Sequence, residues 1–331
     1  MIRKPLDDPA LEARLQSLET DGITVFTLGS PDGPSGGELR GVLAHGSRLV
    51  NEMRANHGLG PLETLVLGQA YLAVALISAG LNGDDSVSLR LDCDGPARGF
   101  SVEARVTEGA SGGMPSSEIR GYLFEDNFQL EEPLSKLDMA PLLGAGSLTQ
   151  TRFIAGSPRP FSGGVSLKTG RLAEDLASYF LESEQVRSAV ALGIHFSPEG
   201  WAEGAGGLFL QALPGATESF LERAEGALTS MPSLGRRFAE GAERAALLAS
   251  TFGHLGLELR GERDARFFCR CSRERFASFL RSSEGELLDD LIANGPWPAE
   301  AVCHNCATTY IFPKEELESW RKAEKDAKTS Q

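Results

Sequence analysis

The chain has 331 residues, 41% hydrophobic and 24% charged, which is length enough for one large core and a smaller appended unit. Its formal net charge of -14 argues against a phosphate backbone as main partner, because such binding draws its free energy from Lys and Arg displacing counterions. No apolar run is expected to reach the roughly 18 residues that span a bilayer, and the opening Met1-Ile2-Arg3-Lys4-Pro5 begins no signal peptide, so a cytoplasmic protein without membrane or nucleic-acid partners is expected.

In chain order, alternating apolar and polar residues predict antiparallel strands at 22–28, 87–93, 99–106 and 119–124. Between the first two lies 61–79, apolar on nearly every side, which reads as a buried helix covering a sheet. The glycine- and serine-rich stretches 29–37 and 108–117 have no periodicity and read as loops without phosphate-loop spacing. A second helix is expected over 171–184 and a further strand over 205–214, closed by Pro214. Beyond Pro214 the pattern turns helical, with two helices over 216–252 separated by Met231-Pro232 and an apolar face thinned by small residues. That segment depends on its neighbours for burial. The expected architecture is α+β: an antiparallel sheet core with packed helices (1–214), a helical linker (215–265) and a small C-terminal zinc-binding domain (266–331), whose tail from Lys314 is a solvated helix.

Four of the five cysteines fall in that last part, as Cys269-Arg-Cys271 and Cys303-His-Asn-Cys306. Each pair can present two sulfurs to one metal from a tight turn. Zinc takes four thiolates tetrahedrally, and an all-cysteine site leaves no position for water or substrate. Ser272 can cap a helix over 273–281, Ser283-Glu-Gly-Glu286 forms a capping box before Leu287, Leu288, Leu291 and Ile292, and Asn294-Gly-Pro296 ends that helix. Spacing alone leaves two readings open. One is a purely structural zinc; the other uses the reactivity of thiolates, which oxidants convert to sulfenic acid and then disulfide. Structural zinc contributes about 10–16 kcal/mol of apparent binding free energy, against about 5–15 for the whole stability of a typical domain. Oxidation that ejects it should unfold the unit. His304 could replace a cysteine as ligand, though four thiolates already saturate zinc. No βαβ unit surrounds the C-x-x-C as in thioredoxin-like oxidoreductases, and Glu284, Glu286, Asp289, Asp290 and Glu300 are at odds with a nucleic-acid zinc ribbon. The fifth cysteine, Cys93, shares a strand face with Val87, Leu89 and Leu91 and reads as an inert core thiol.

With Phe268-Cys-Arg-Cys-Ser-Arg-Glu-Arg-Phe276, Cys303-His-Asn-Cys306 and Tyr310-Ile-Phe312, the sequence resembles the heat shock protein 33 family of redox-regulated holdase chaperones. The core helix ending in Ser183-Glu-Gln185, the Gly206-Gly207 strand and Arg120-Gly-Tyr122 extend the resemblance in order through most of the chain. It implies an ATP-independent holdase for unfolding clients, inactive while one zinc ion is bound by Cys269, Cys271, Cys303 and Cys306. It also implies Cys269–Cys271 and Cys303–Cys306 disulfides on oxidation, unfolding of the zinc domain and linker, and conversion from monomer to homodimer. Two departures are Asn82-Gly83, where the family has Lys-Gly, and the glycine-rich insertion at 109–115. A static zinc scaffold that recruits one folded partner is the alternative. An enzyme is not expected: no nucleophile elbow, Ser-His-Asp order or paired carboxylates emerge, and His45, His57, His195 and His254 are scattered.

Overall fold

The computed structural model describes residues 1–29, 38–108, 114–128, 130, 138–282 and 286–329, with backbone alone at 286 and 324–329. The loop expected at 29–37, most of the insertion at 109–115 and the capping box at 283–286 lie outside the described residues. The chain forms two compact units, Lys4–Phe268 and Cys269–Gln331, the latter joined by Met1–Arg3.

The larger unit is built on ten strands: β1 (Gly22–Leu28), β2 (Leu39–His45), β3 (Ser86–Cys93), β4 (Gly99–Thr107), β5 (Ser116–Leu123), β6 (Gly146–Phe153), β7 (Phe161–Ser166), β8 (Ser188–Phe196), β9 (Ala202–Ala212) and β10 (Glu258–Phe267). They lie in the order β7-β6-β3-β4-β5-β10-β1-β2-β9-β8, and every neighbouring pair is antiparallel except β5 and β10. This is the expected α+β class with a large antiparallel sheet. Its helices are α1 (Pro9–Ser17), α2 (Ser47–His57), α3 (Pro61–Ser78), α4 (Ala140–Leu143), α5 (Leu172–Glu182), α6 (Glu218–Ser230), α7 (Leu234–Ala239) and α8 (Arg244–Phe252).

Helix α3 covers the sheet, with Pro61 in its first turn and Val66, Leu67, Tyr71 and Val74 wholly buried. Over 18 residues its mean hydropathy of 1.4 meets the length and composition of a bilayer-spanning helix, contrary to the expectation that no run would. Its burial, 78% of that window, is that of a core helix packed on a sheet. The helix carries no basic residue in its own last turn. Two arginines from the sheet serve its carbonyl end: Arg40 donates to Ala79 O at 3.0 Å, and Arg263 to Ser78 O at 2.7 Å and Leu81 O at 3.0 Å. Cations there complement the helix dipole and the carbonyls left without helical partners. Cys93, expected in the core, is only half-buried at the end of β3.

The stretch after Pro214 contains three helices, not two, with the expected break at Met231. It also contains β10, which the sequence pattern did not reveal, since Glu258–Phe267 reads Glu-Leu-Arg-Gly-Glu-Arg-Asp-Ala-Arg-Phe and buries only Ala265 and Phe267. Phe220, Leu234, Phe238, Leu247, Leu248 and Phe252 from α6, α7 and α8 pack with Phe26, Leu43, Leu208 and Leu210 of the sheet in one apolar cluster. Helix α7 lies on β8 and β9 backbone to backbone. A Cβ at Gly204 would stand 2.1 Å from Gly235 O and 2.3 Å from Ala239 N, and one at Gly235 would stand 2.6 Å from His195 N. Gly204→Ala should therefore overpack this contact and destabilise the unit by about 1–3 kcal/mol in urea unfolding. Gly226→Ala, at an α6 position with nothing within 4 Å, should leave stability unchanged or raise it by up to about 1 kcal/mol.

Candidate metal centre

The smaller unit consists of α9 (Arg273–Ser282), α10 (Glu286–Asn294), the hairpin β11 (Ala299–Val302) and β12 (Thr309–Phe312), and α11 (Lys314–Thr329). Ser272 Oγ accepts from the Arg275 amide at 3.2 Å, the expected cap of α9. Gly295, left-handed at φ 70°, closes α10 with its amide on Leu291 O at 3.1 Å. The apolar core is small: Ala277, Leu280, Leu288, Phe312 and Leu317 are buried, Phe276 lies 5.3 Å from Tyr310 ring to ring, and Trp320 meets Phe312 edge-on at 5.7 Å. Arg273 ties α9 to the hairpin and α11, donating to Ile311 O at 3.0 Å and to Glu316.

Cys269 and Cys271 precede α9, and Cys303 and Cys306 occupy the turn between β11 and β12. In that turn the Cys306 and Ala307 amides donate to Cys303 O at 3.2 and 2.7 Å, and the Cys303 amide to Thr308 O at 2.9 Å. The turn folds the four sulfurs to within 4.8 Å of one another. The short contacts run across the two motifs, Cys269 Sγ to Cys303 Sγ at 3.8 Å and Cys271 Sγ to Cys306 Sγ at 3.4 Å. Both are far longer than the roughly 2.05 Å of a disulfide, so neither pair is covalently bonded. Exposure is low throughout: 1% at Cys269, 9% at Cys271, 7% at Cys303 and none at Cys306. Contact with Cys269 pushes Cys306 up to about 11 and, followed by Cys306, raises Cys303 strongly. Four buried sulfurs at this spacing cannot all ionise unless a cation stands among them.

These residues fit such an ion. A tetrahedron with metal–sulfur bonds of about 2.3 Å has edges of roughly 3.8 Å, the scale of the observed sulfur contacts. Tyr310 Oη stands 3.2 Å from Cys271 Sγ and donates to Cys271 O at 3.1 Å, while Thr308 Oγ1 accepts from the Cys306 thiol at 3.3 Å. Burial, then Cys271, raises Tyr310, keeping its hydroxyl protonated and able to donate to sulfur. In the sequence Tyr310 stands out only as part of the C-terminal Tyr310-Ile-Phe312 signature. Thr308 carried no sequence signal, because a hydroxyl two residues after a cysteine is common in any turn.

The structure also assembles a group the sequence left scattered. His45 Nε2 lies 2.8 Å from Ser47 Oγ, and its Nδ1 lies 4.0 Å from Asp21 Oδ1, beyond hydrogen-bond reach. Ser47 is 1% exposed and accepts the Ala205 amide at 3.0 Å, so no substrate reaches it. Burial, then Arg244, lowers His45 to about 4, and the neutral ring stacks on Phe238 at 4.3 Å. Arg244 in turn donates to Thr24 Oγ1 at 3.0 Å and Thr20 O at 2.7 Å and pairs with Glu19 at 3.3 Å. The network anchors α8 to β1.

The family model described as "Hsp33 protein" matches residues 34–313. The chain belongs to the Hsp33 family. Among similar proteins, a "33 kDa chaperonin" of Thermus thermophilus is 38% identical over 296 residues, 86% of this chain and 83% of that one. That of Agathobacter rectalis is 33% identical over 287 residues, 86% of this chain and 95% of that one. The crystal structure of the 33 kDa chaperonin (heat shock protein 33 homolog) of Thermotoga maritima superposes with a TM-score of 0.76 at 28% identity, covering 93% of this chain and 100% of that one. This Hsp33 is thus a chaperone of that family, with a four-cysteine cluster able to bind a metal ion. The relatives are named for chaperone action, and no catalytic activity is indicated. Removing the hydroxyl beside Cys271, as in Tyr310→Phe, should weaken metal binding by about tenfold or more in a chelator-competition titration.

Proposed function

We propose that this Hsp33 is a redox-regulated, ATP-independent holdase of the cytoplasm that binds unfolding proteins under oxidative stress. The observation carrying this reading is four cysteine sulfurs, almost wholly buried, brought from two separate turns to within 4.8 Å of one another. All-sulfur ligation favours zinc among the common divalent ions, and Cys269, Cys271, Cys303 and Cys306 would hold one zinc ion, which keeps their sulfurs as thiolates in the reduced state. Thiolates are the form that peroxide attacks.

Oxidation joins Cys269 to Cys271 and Cys303 to Cys306. In each pair one sulfur takes the electrophilic oxygen of peroxide, giving sulfenic acid and water, and its neighbour then displaces a second water to form the S–S bond. Two peroxides and four protons from solvent thus convert four thiolates to two disulfides and four waters. Disulfide sulfurs carry no charge, so the centre loses its ligands. The unit around it has a small core and should not stay folded without them. In the proposed division, 1–214 is the chaperone core, 215–265 the redox-sensitive linker and 266–331 the switch domain. Helix α6 buries only Phe220 and Ala224, and α6, α7 and α8 direct their buried apolar side chains into the cluster shared with the sheet, on which their fold depends. Their release would uncover Phe26, Leu208 and Leu210 as apolar surface for clients and for pairing of two activated monomers.

The test compares reduced, zinc-loaded protein with protein treated with peroxide, following light scattering of a heat-unfolded client and zinc release to a chromogenic chelator. The reduced form should leave aggregation unchanged, and the oxidised form should release one zinc per chain and suppress aggregation. Equal protection by the two forms would overturn the switch.

A further inference from the structure

The first residues of the chain lie outside the stretch that the family model matches, which begins at 34, yet Met1–Arg3 belong to the cysteine unit. Met1 reaches the backbone of the C-x-C turn at both cysteines. Its nitrogen donates to Cys271 O at 2.8 Å, and its thioether accepts from the Cys269 amide at 3.3 Å. Ile2 grips the second turn through one side chain: its amide donates to Thr308 Oγ1 at 3.1 Å, and that hydroxyl returns a hydrogen bond to Ile2 O at 3.2 Å. Thr308 is 3% exposed and is the same hydroxyl that meets the Cys306 thiol. Two consecutive residues from the far end of the chain therefore bridge both halves of the four-sulfur cluster.

The bridge is polar. Ile2 is 59% exposed, so little apolar burial holds it, and it can lift without breaking the core of the unit. Beyond it the chain is anchored: the Lys4 amide donates to Asn56 Oδ1 at 3.0 Å, Asp8 caps α1, and Leu11, Leu15 and Leu18 of that region pack with Leu6 and Trp201.

We infer that Met1 and Ile2, acting through Thr308, are positioning residues of the cysteine centre: a strap that closes the two turns over the sulfurs and sets how fast an oxidant reaches them. A buried thiol reacts at the rate at which its cover opens. The inference rests on the zinc-thiolate reading of the centre and adds to it a cover contributed by residues outside the family match.

The test uses the full zinc-loaded chain. Deleting Ile2 and Arg3 removes the Ile2–Thr308 hydrogen bonds and shortens the segment that carries Met1 by up to about 7 Å. Peroxide-driven zinc release should quicken about tenfold, the worth of one or two net hydrogen bonds, with zinc stoichiometry unchanged. Amide hydrogen exchange at Cys269 and in 303–309 should quicken in parallel. Thr308→Val should reproduce both effects, Thr308→Ser should restore wild-type rates, and combining Thr308→Val with the deletion should add little. Rates within twofold of wild type in the deletion, or full additivity of the two changes, would overturn the strap while leaving the zinc switch standing. If the wild-type chain binds no zinc, the reading of the centre falls instead, and the exchange comparison still decides the strap.

Discussion

Four cysteine sulfurs within 4.8 Å, almost wholly shielded from water, form the constraint on which the small unit depends. As thiolates they repel one another, and a cation at their middle would relieve that repulsion. Little else could substitute. Two short strands, a few buried residues on α9 and α10, and the pair of Phe312 with Trp320 make a core too small to carry a domain unaided. Under the proposed function, chemistry that changes the sulfurs would change whether the unit is folded, and a metal centre with no open coordination position would serve as a sensor.

The larger unit is organised around the strand that runs into this centre. β10 lies inside the sheet between β5 and β1, and Phe268, the last residue before Cys269, still donates its amide to Ile119 O at 3.0 Å. Its side chains contribute little burial. Backbone pairing on both sides, Arg263 on the carbonyl end of α3, and Arg266 with Glu118 at 2.7 Å hold it in place. Helix α7 rests on the sheet through Gly204 and Gly235, where main chain meets main chain, and through Gly206, whose open face the Phe238 ring fills. Contacts of that kind are stiff to substitution, yet they bury little apolar area per residue. A segment held so can be well ordered and still owe its order to its neighbours.

Much of this was legible in the residues. The strands β1, β3 and β4 alternate because one face is buried, β9 is buried almost throughout, and α3 is apolar all round because it is enclosed on every side. The Ser272 cap, the end of α10 at Gly295 and the break at Met231 follow from local backbone chemistry that requires no partner. β10 was hidden for the opposite reason. A central strand with charged, solvated side chains leaves no periodic trace, because its stability lies in hydrogen bonds that every sequence can make.

The sequence by itself determined the chemistry of the centre: two pairs of cysteines at spacings that present sulfur from tight turns, in an acidic chain with no other concentrated reactive group. Only the tertiary structure decided which sulfurs are neighbours, with Cys269 beside Cys303 and Cys271 beside Cys306, and what surrounds them. The hydroxyls of Tyr310 and Thr308 and the backbone of Met1 and Ile2 come from opposite ends of the chain. Their meeting is fixed by packing and not by any pattern along the sequence. Local spacing specifies which atoms can react, whereas long-range contacts specify how well those atoms are covered.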